Sequence, residues 1–187
     1  MNNKSFGKSL GNMDTKIPTL GEAKIPNPIR KPDSPFRYFV SDDSRVLIDV
    51  YADDVAEACQ TGTIPLSFEL AGPREKLYFD PSKLRCALVT CGGLCPGLNG
   101  IIRATVLELY YAYGVRNIYG IRYGLQGFIP EYGHDVVDLN PRVVSDIIKK
   151  GGSFLGSSRG PQDIDKIIDC LERMNISVLF MVGGDGT

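Results

Sequence analysis

An apolar strand that runs straight into a glycine-rich acidic turn constrains this chain more than any other feature. Ile176 to Val182 is apolar except for Ser177, the pattern of a buried strand. It leads into Gly183-Gly184-Asp185-Gly186-Thr187, where the sequence stops. Two glycines after a buried strand leave the backbone open to close approach by a ligand. Asp185 adds a carboxylate, a hard oxygen ligand suited to Mg²⁺ that carries phosphates. In an α/β protein a helix follows such a turn and offers its amino-terminal N–H groups to an anion. The turn is expected to be a phosphate site, and the chain an amino-terminal fragment of a longer protein.

The residues upstream predict the fold around that strand. Leu84 to Thr90 reads as a strand, Cys91 to Leu98 as a glycine–proline loop, and Asn99 to Tyr113 as a helix. Ile102, Val106, Leu109 and Tyr113 fall at helical spacing within it. Asn117 to Ile121 is a second strand, followed by a glycine-rich connection over Tyr123 to Gly127, and Val136 to Leu139 is a short third strand. Pro141 suits a first helical turn, and Val143, Val144, Ile147 and Ile148 predict a helix that Gly151-Gly152 ends. Ile164, Ile167, Ile168 and Leu171 give another apolar stripe at helical spacing, expected to be core. Strands alternating with helices predict an α/β fold, a Rossmann-like three-layer sandwich around a mostly parallel sheet.

The first 83 residues differ. Prolines 18, 26, 28, 32 and 35 interrupt any regular element, so residues 1–35 are expected to form a Pro-rich flexible arm. Residues 36–83 carry short strand-like runs, Phe36 to Val40 and Arg45 to Val50, and a helical turn near Asp53 to Cys59. They read as an amino-terminal appendage to a partial α/β domain over residues 84–187.

Charge and cysteine content narrow the function classes. A net charge of −1 argues against a general nucleic-acid binder, which needs a basic face. No apolar run reaches the roughly 18 residues of a membrane span, and the amino terminus lacks the apolar core of a secretory signal. A cytoplasmic protein is expected. Cys59, Cys86, Cys91, Cys95 and Cys170 form no paired framework and read as reduced thiols. Cys91 and Cys95 share one turn, but with His134 as the sole histidine a zinc site is not expected.

Ligands of a parallel sheet bind at the carboxyl ends of its strands. Three glycine-rich segments can reach that edge. The first, Thr90 to Asn99, lacks both the dinucleotide spacing and a Walker ending, yet its glycines can turn backbone N–H groups toward a phosphate. The second runs from Gly151 to Pro161 and combines glycines with three hydroxyls and Arg159, whose guanidinium suits phosphate. The third is Gly183 to Thr187. Three phosphate-compatible loops at one sheet edge point to phosphoryl transfer.

At these loops the chain resembles the ATP-dependent 6-phosphofructokinases. The signatures are Gly92-Gly93-x-x-Pro96-Gly97-Leu98-Asn99, Gly151-Gly152-Ser153-Phe154-Leu155-Gly156-Ser157-Ser158-Arg159 and Gly183-Gly184-Asp185-Gly186-Thr187. Ala71-Gly72-Pro73-Arg74, Tyr78-Phe79-Asp80-Pro81 and the Cys91/Cys95 doublet resemble the plant and trypanosomatid branch. The resemblance covers residues 36–187 and implies transfer of the ATP γ-phosphoryl group to the 1-hydroxyl of fructose 6-phosphate, with Mg²⁺ as cofactor. It implies that Gly93 contacts ATP phosphates through its backbone and that Arg159, beside Gly160, binds ATP and stabilises the transferring group. Gly184, Asp185, Gly186 and Thr187 close over the nucleotide, with Asp185 on Mg²⁺. Pyrophosphate-dependent relatives carry an aspartate where Gly186 stands, so the glycine implies ATP. The residue that deprotonates the sugar belongs to motifs beyond Thr187. Leu107 replaces one of two arginines of the bacterial effector pocket, leaving Arg103 alone, and Leu125 stands where bacterial enzymes place a tyrosine near adenine. Asp163, Asp165 and Asp169 read as a solvated helix face and an N-terminal cap rather than a substitute base. A homo-oligomer, dimer or tetramer, under allosteric control is expected. The competing readings are a pyrophosphate-dependent enzyme, a non-catalytic nucleotide-binding subunit, and a related lipid or NAD kinase.

Overall fold

The computed structural model describes residues 14–30, 38–48, 51–63, 65–184 and 187. The chain divides into two compact units, Met1–Tyr78 and Phe79–Thr187. The first unit is built from short ladders. Strand β1 (Ile25–Pro26) pairs antiparallel with β4 (Lys76–Leu77), and β2 (Arg45–Leu47) with β3 (Ser67–Glu69). Helix α1 (Ala52–Thr61) lies between β2 and β3 in sequence and stops at Gly62, which takes the left-handed conformation. Within the proline-rich stretch, Asn27 is buried and its amide donates to the Arg74 carbonyl at 2.8 Å. Of the strand-like run Phe36 to Val40, Phe36 and Arg37 lie outside the described residues, and Tyr38 to Val40 form no strand. The run Arg45 to Val50 is strand only to Leu47, and its last two residues also lie outside.

The second unit carries a four-stranded sheet in the order β7-β6-β5-β8. Strand β5 (Arg85–Thr90) pairs parallel with β6 (Asn117–Ile121) on one edge and with β8 (Val178–Val182) on the other. Strand β7 (Val136–Asp138) runs antiparallel to β6 at the sheet's edge. The expectation of a mostly parallel sheet holds.

Side-chain alternation along β5 separates two apolar layers. Cys86 and Leu88 join a cluster with Ile102 and Val106 of helix α2 (Leu98–Leu107), Ile118, Val144 and Ile147. Ala87 and Val89 join the opposite cluster with Ile121, Phe128 and Cys170 of helix α3 (Ile164–Arg173). A helix therefore covers each face, the three-layer arrangement expected from the sequence.

Three local expectations are corrected. The helix expected to run to Tyr113 leaves α geometry at Glu108 and closes with a π turn over Glu108–Ala112. The helix expected after Pro141 is a string of turns ending in a 3₁₀ segment, Ile147–Lys149. Here Asn140 caps the amides of Arg142 and Val143, but beyond Val144 the backbone bonds run three residues back, Ser145 to Arg142 and Lys149 to Asp146, and the Ser145 hydroxyl also donates to the Arg142 carbonyl. Val144 and Ile147 still reach the core from these turns, whereas Ile148 is exposed. On α3, Ile167 and Leu171 pack inward, but Ile164 is 70% exposed and Ile168 47%. Asp163 caps α3 by accepting from the amides of Asp165 and Lys166, as read from the sequence.

Gly120 shows how closely the sheet is covered. A Cβ built there would stand 2.5 Å from Leu155 Cδ2 and 3.1 Å from Leu139 Cδ1, both on fully buried side chains. Gly120→Ala is expected to destabilise the protein by about 1–3 kcal/mol through overpacking, measured by urea unfolding. Wild-type stability would show that this layer yields.

Candidate functional site

Strand β5 sends its chain to β6 on one side, while the return through α3 places β8 on the other. The loop after β5, the segment leading into α3 and the turn after β8 consequently meet at one sheet edge. This is the switch point where doubly wound sheets open a crevice.

Hydrogen bonds join the first two loops directly. The Ser157 hydroxyl donates to the Gly92 carbonyl at 2.6 Å, and the Gly92 amide donates to the Ser158 carbonyl at 3.2 Å. Strand β8 is tied to the same point, since the Cys91 amide donates to the Val182 carbonyl at 2.8 Å. Gly124, at the end of β6, approaches from the side. It takes φ +60, and a Cβ there would stand 2.8 Å from the Ser158 amide nitrogen, so glycine is required on both counts.

The crevice between the loops has a volume of about 330 Å³ and is walled by residues 92–94, Ser153 and residues 156–159. Among the described residues, Arg159 is its only charged wall residue. Among the described residues no carboxylate pairs with Arg159, and its Nη2 lies 3.6 Å from where a Gly93 Cβ would be. A cationic guanidinium, hydroxyls and bare backbone without a facing carboxylate suit an anionic oxygen cluster.

Gly93 and Arg159 thus come together as the sequence suggests. Gly160 follows Arg159 with a left-handed backbone at φ +91 and is exposed. Gly184 is near the crevice, its amide nitrogen 3.9 Å from a Cβ built on Gly92. The Thr187 amide donates to the Gly184 carbonyl at 3.1 Å. Asp185 and Gly186, the expected metal ligand and donor-selecting residue, lie outside the described residues. Among the described residues no three of His, Cys, Asp or Glu are grouped to hold a metal. Leu125 packs with the α3-side core cluster.

Sequence reasoning gave no role to two residues that shape this edge. Thr90 is 1% exposed, and its hydroxyl donates to the Gly156 carbonyl at 2.6 Å. Asn99 is 4% exposed; it donates to the Lys150 carbonyl at 3.0 Å and accepts from the Phe154 amide at 2.6 Å. Their partners lie more than fifty residues away, so these bonds are not visible in the sequence, which marks Asn99 only as the end of the first signature and Thr90 not at all.

These features define an α/β domain with a glycine- and serine-walled, cationic crevice at its switch point. The family model described as Phosphofructokinase matches residues 85–187, and the chain belongs to that family. The ATP-dependent 6-phosphofructokinase of Borreliella burgdorferi is 46% identical over 179 residues, 94% of this chain and 39% of that protein. ATP-dependent 6-phosphofructokinase 7 of Arabidopsis thaliana is 41% identical over 87% of this chain and 32% of its own length. The enzyme of Trypanosoma brucei brucei is 36% identical over 96% of this chain and 37% of its own length. The likeness to plant and trypanosomatid members therefore holds, alongside the Borreliella protein. The chain spans between 32% and 39% of the length of these relatives.

The cysteines separate by burial. Cys86 is enclosed, and burial pushes its thiol up to about 11; burial also raises Cys91, while Cys59 and Cys95 are exposed. A raised pKa leaves less thiolate at pH 8, and the thiolate is the nucleophile. Brief alkylation of the native protein at pH 8, followed by peptide mass analysis, is expected to label Cys59 and Cys95 and spare Cys86, Cys91 and Cys170. Equal labelling of Cys86 and Cys95 would contradict this packing.

Proposed function

We propose that this chain supplies the donor-phosphate side of an ATP-dependent 6-phosphofructokinase, which moves the γ-phosphoryl group of ATP to the 1-hydroxyl of fructose 6-phosphate. The observation that carries the reading is the Arg159 guanidinium, beside the Gly93 backbone on the wall of a crevice, with no carboxylate paired to it among the described residues. Family membership and the names of the relatives support it.

Phosphoryl transfer asks a protein for positioning and for stabilisation of charge spread over oxygens. Arg159 offers a planar fork of donors for those oxygens, and its exposure lets a phosphate displace solvent from it. Gly93 has no side chain to hold the phosphates away, and Gly160 leaves the flank of Arg159 open. In this reading Gly184 and Thr187 close over the nucleotide, Asp185 holds Mg²⁺, and Gly186 leaves room for the ATP α-phosphate. The Mg²⁺ supplies charge neutralisation at the phosphates. Residence in the cytoplasm, a homo-oligomeric state and effector control belong to the same reading. No helix among the described residues is long and apolar enough to cross a membrane.

The test uses the full-length protein with fructose 6-phosphate. Turnover is expected with Mg²⁺-ATP and not with pyrophosphate, and Arg159→Ala is expected to lower kcat by roughly 10²-fold or more, as for loss of one preorganised donor to a developing charge. Wild-type turnover in Arg159→Ala would remove the residue from the site. Equal turnover with pyrophosphate would overturn the choice of donor.

A further inference from the structure

The loop that carries Arg159 is held from outside itself. Residues 151–160 form no helix or strand, and Gly152, Gly156 and Gly160 all take positive φ. Such a segment has little intrinsic reason to keep one shape. Besides the bonds of Ser157 and Ser158 to Gly92 and the burial of Leu155, it is held by two buried polar side chains on other elements. Thr90, the last residue of β5, has one hydroxyl proton, which goes to the Gly156 carbonyl at 2.6 Å because a carbonyl can only accept. The Ser153 hydroxyl, 2.8 Å away, must then be the donor to Thr90. Asn99, in the first turn of α2, holds the front of the loop through the Lys150 carbonyl and the Phe154 amide. A third support comes from the end of β6, where the Tyr123 amide donates to the Leu155 carbonyl at 2.8 Å.

Thr90 is also the residue at which the other two loops begin. It pairs with Val182 across the β5–β8 ladder, and the next amide, of Cys91, donates to the Val182 carbonyl. One buried hydroxyl therefore references the Arg159 loop to the strand end from which the glycine loop leaves and beside which the 183–187 turn starts.

We propose that Thr90 and Asn99 are positioning residues: a two-point clamp that sets the 151–160 loop so that Arg159 meets the phosphoryl group opposite Gly93. The proposal rests on the reading of this crevice as the donor-phosphate site. Neither side chain is a wall residue of the crevice, so their effect passes through the loop. Removing the Thr90 hydroxyl leaves the Gly156 carbonyl and the Ser153 hydroxyl without their buried partner, and the loop relaxes. A displacement near 1 Å at a reacting group is enough to cost on the order of 10²-fold in rate.

The test compares Thr90→Val, which keeps the shape and loses the hydroxyl, with Thr90→Ser, which keeps the hydroxyl, in the full-length protein. Amide exchange of residues 153–157 is expected to quicken in Thr90→Val and to return to the wild-type rate in Thr90→Ser. Ser153→Ala, which removes only one bond, provides a milder variant with the same expected direction should Thr90→Val fold poorly. Unchanged exchange in a folded Thr90→Val or in Ser153→Ala would overturn the clamp. In kinetics normalised to folded enzyme, Thr90→Val is expected to lower kcat roughly tenfold or more with a smaller change in the KM for ATP. Added to Arg159→Ala, it is expected to cost little further, because both act through one guanidinium. Full additivity of the two losses would overturn action through Arg159. If Arg159→Ala itself turned over normally, the donor-site reading would fall and with it the catalytic part of the proposal, while the exchange result would still decide the clamp.

Discussion

Burial of β5 on both faces and hydrogen bonding along both of its edges set the geometry of the second unit. Residues 86–90 are enclosed, with parallel neighbours β6 and β8 on either side. A strand in that position can release its chain only at its ends. The parallel neighbours release theirs at the same end, so the glycine loop after β5, the approach to α3 and the turn after β8 have to meet. The apolar layers on the two faces hold this arrangement, and exposed Ile164 and Ile168 show where α3 contributes less to it.

That convergence was legible in the sequence, because it follows from alternating apolar strands and helices with glycines at fixed ends. The strand Asn117–Ile121 and the Asp163 cap were legible for the same local reason. The segment after Pro141 was not. Its apolar residues follow helical spacing and Asn140 caps its start, but the backbone tightens to three-residue bonds from Ser145 on, and the Ser145 hydroxyl takes the Arg142 carbonyl. The exposure of Ile164 was also hidden, since periodicity names a face without naming what covers it. Thr90 was the least legible, because an ordinary threonine acquires meaning only when residues 153–156 fold back onto it; Asn99 stands in the first signature, but its hold on Lys150 and Phe154 shows only in the fold.

The chemistry of the crevice follows from what its walls lack as much as from what they hold. Arg159 is exposed and pairs with no carboxylate among the described residues, so an incoming phosphate has no ion pair to break there. Glycines at 92 and 93 keep side chains away from the same space. The cost of this openness is a loop with weak local preferences, and the buried hydroxyl and amide on β5 and α2 offset it. Stability and site geometry are joined at Thr90.

The chemistry proposed for this crevice turns on donor phosphates resting against the Gly93 backbone and the Arg159 guanidinium, which lie side by side on its wall. A crystal structure of the full-length protein with Mg²⁺ and a non-hydrolysable ATP analogue tests it most directly. The terminal phosphates are expected in that crevice, within hydrogen-bond reach of Arg159 and of the backbone at Gly93. Phosphates bound elsewhere, with Arg159 still facing solvent, would contradict it.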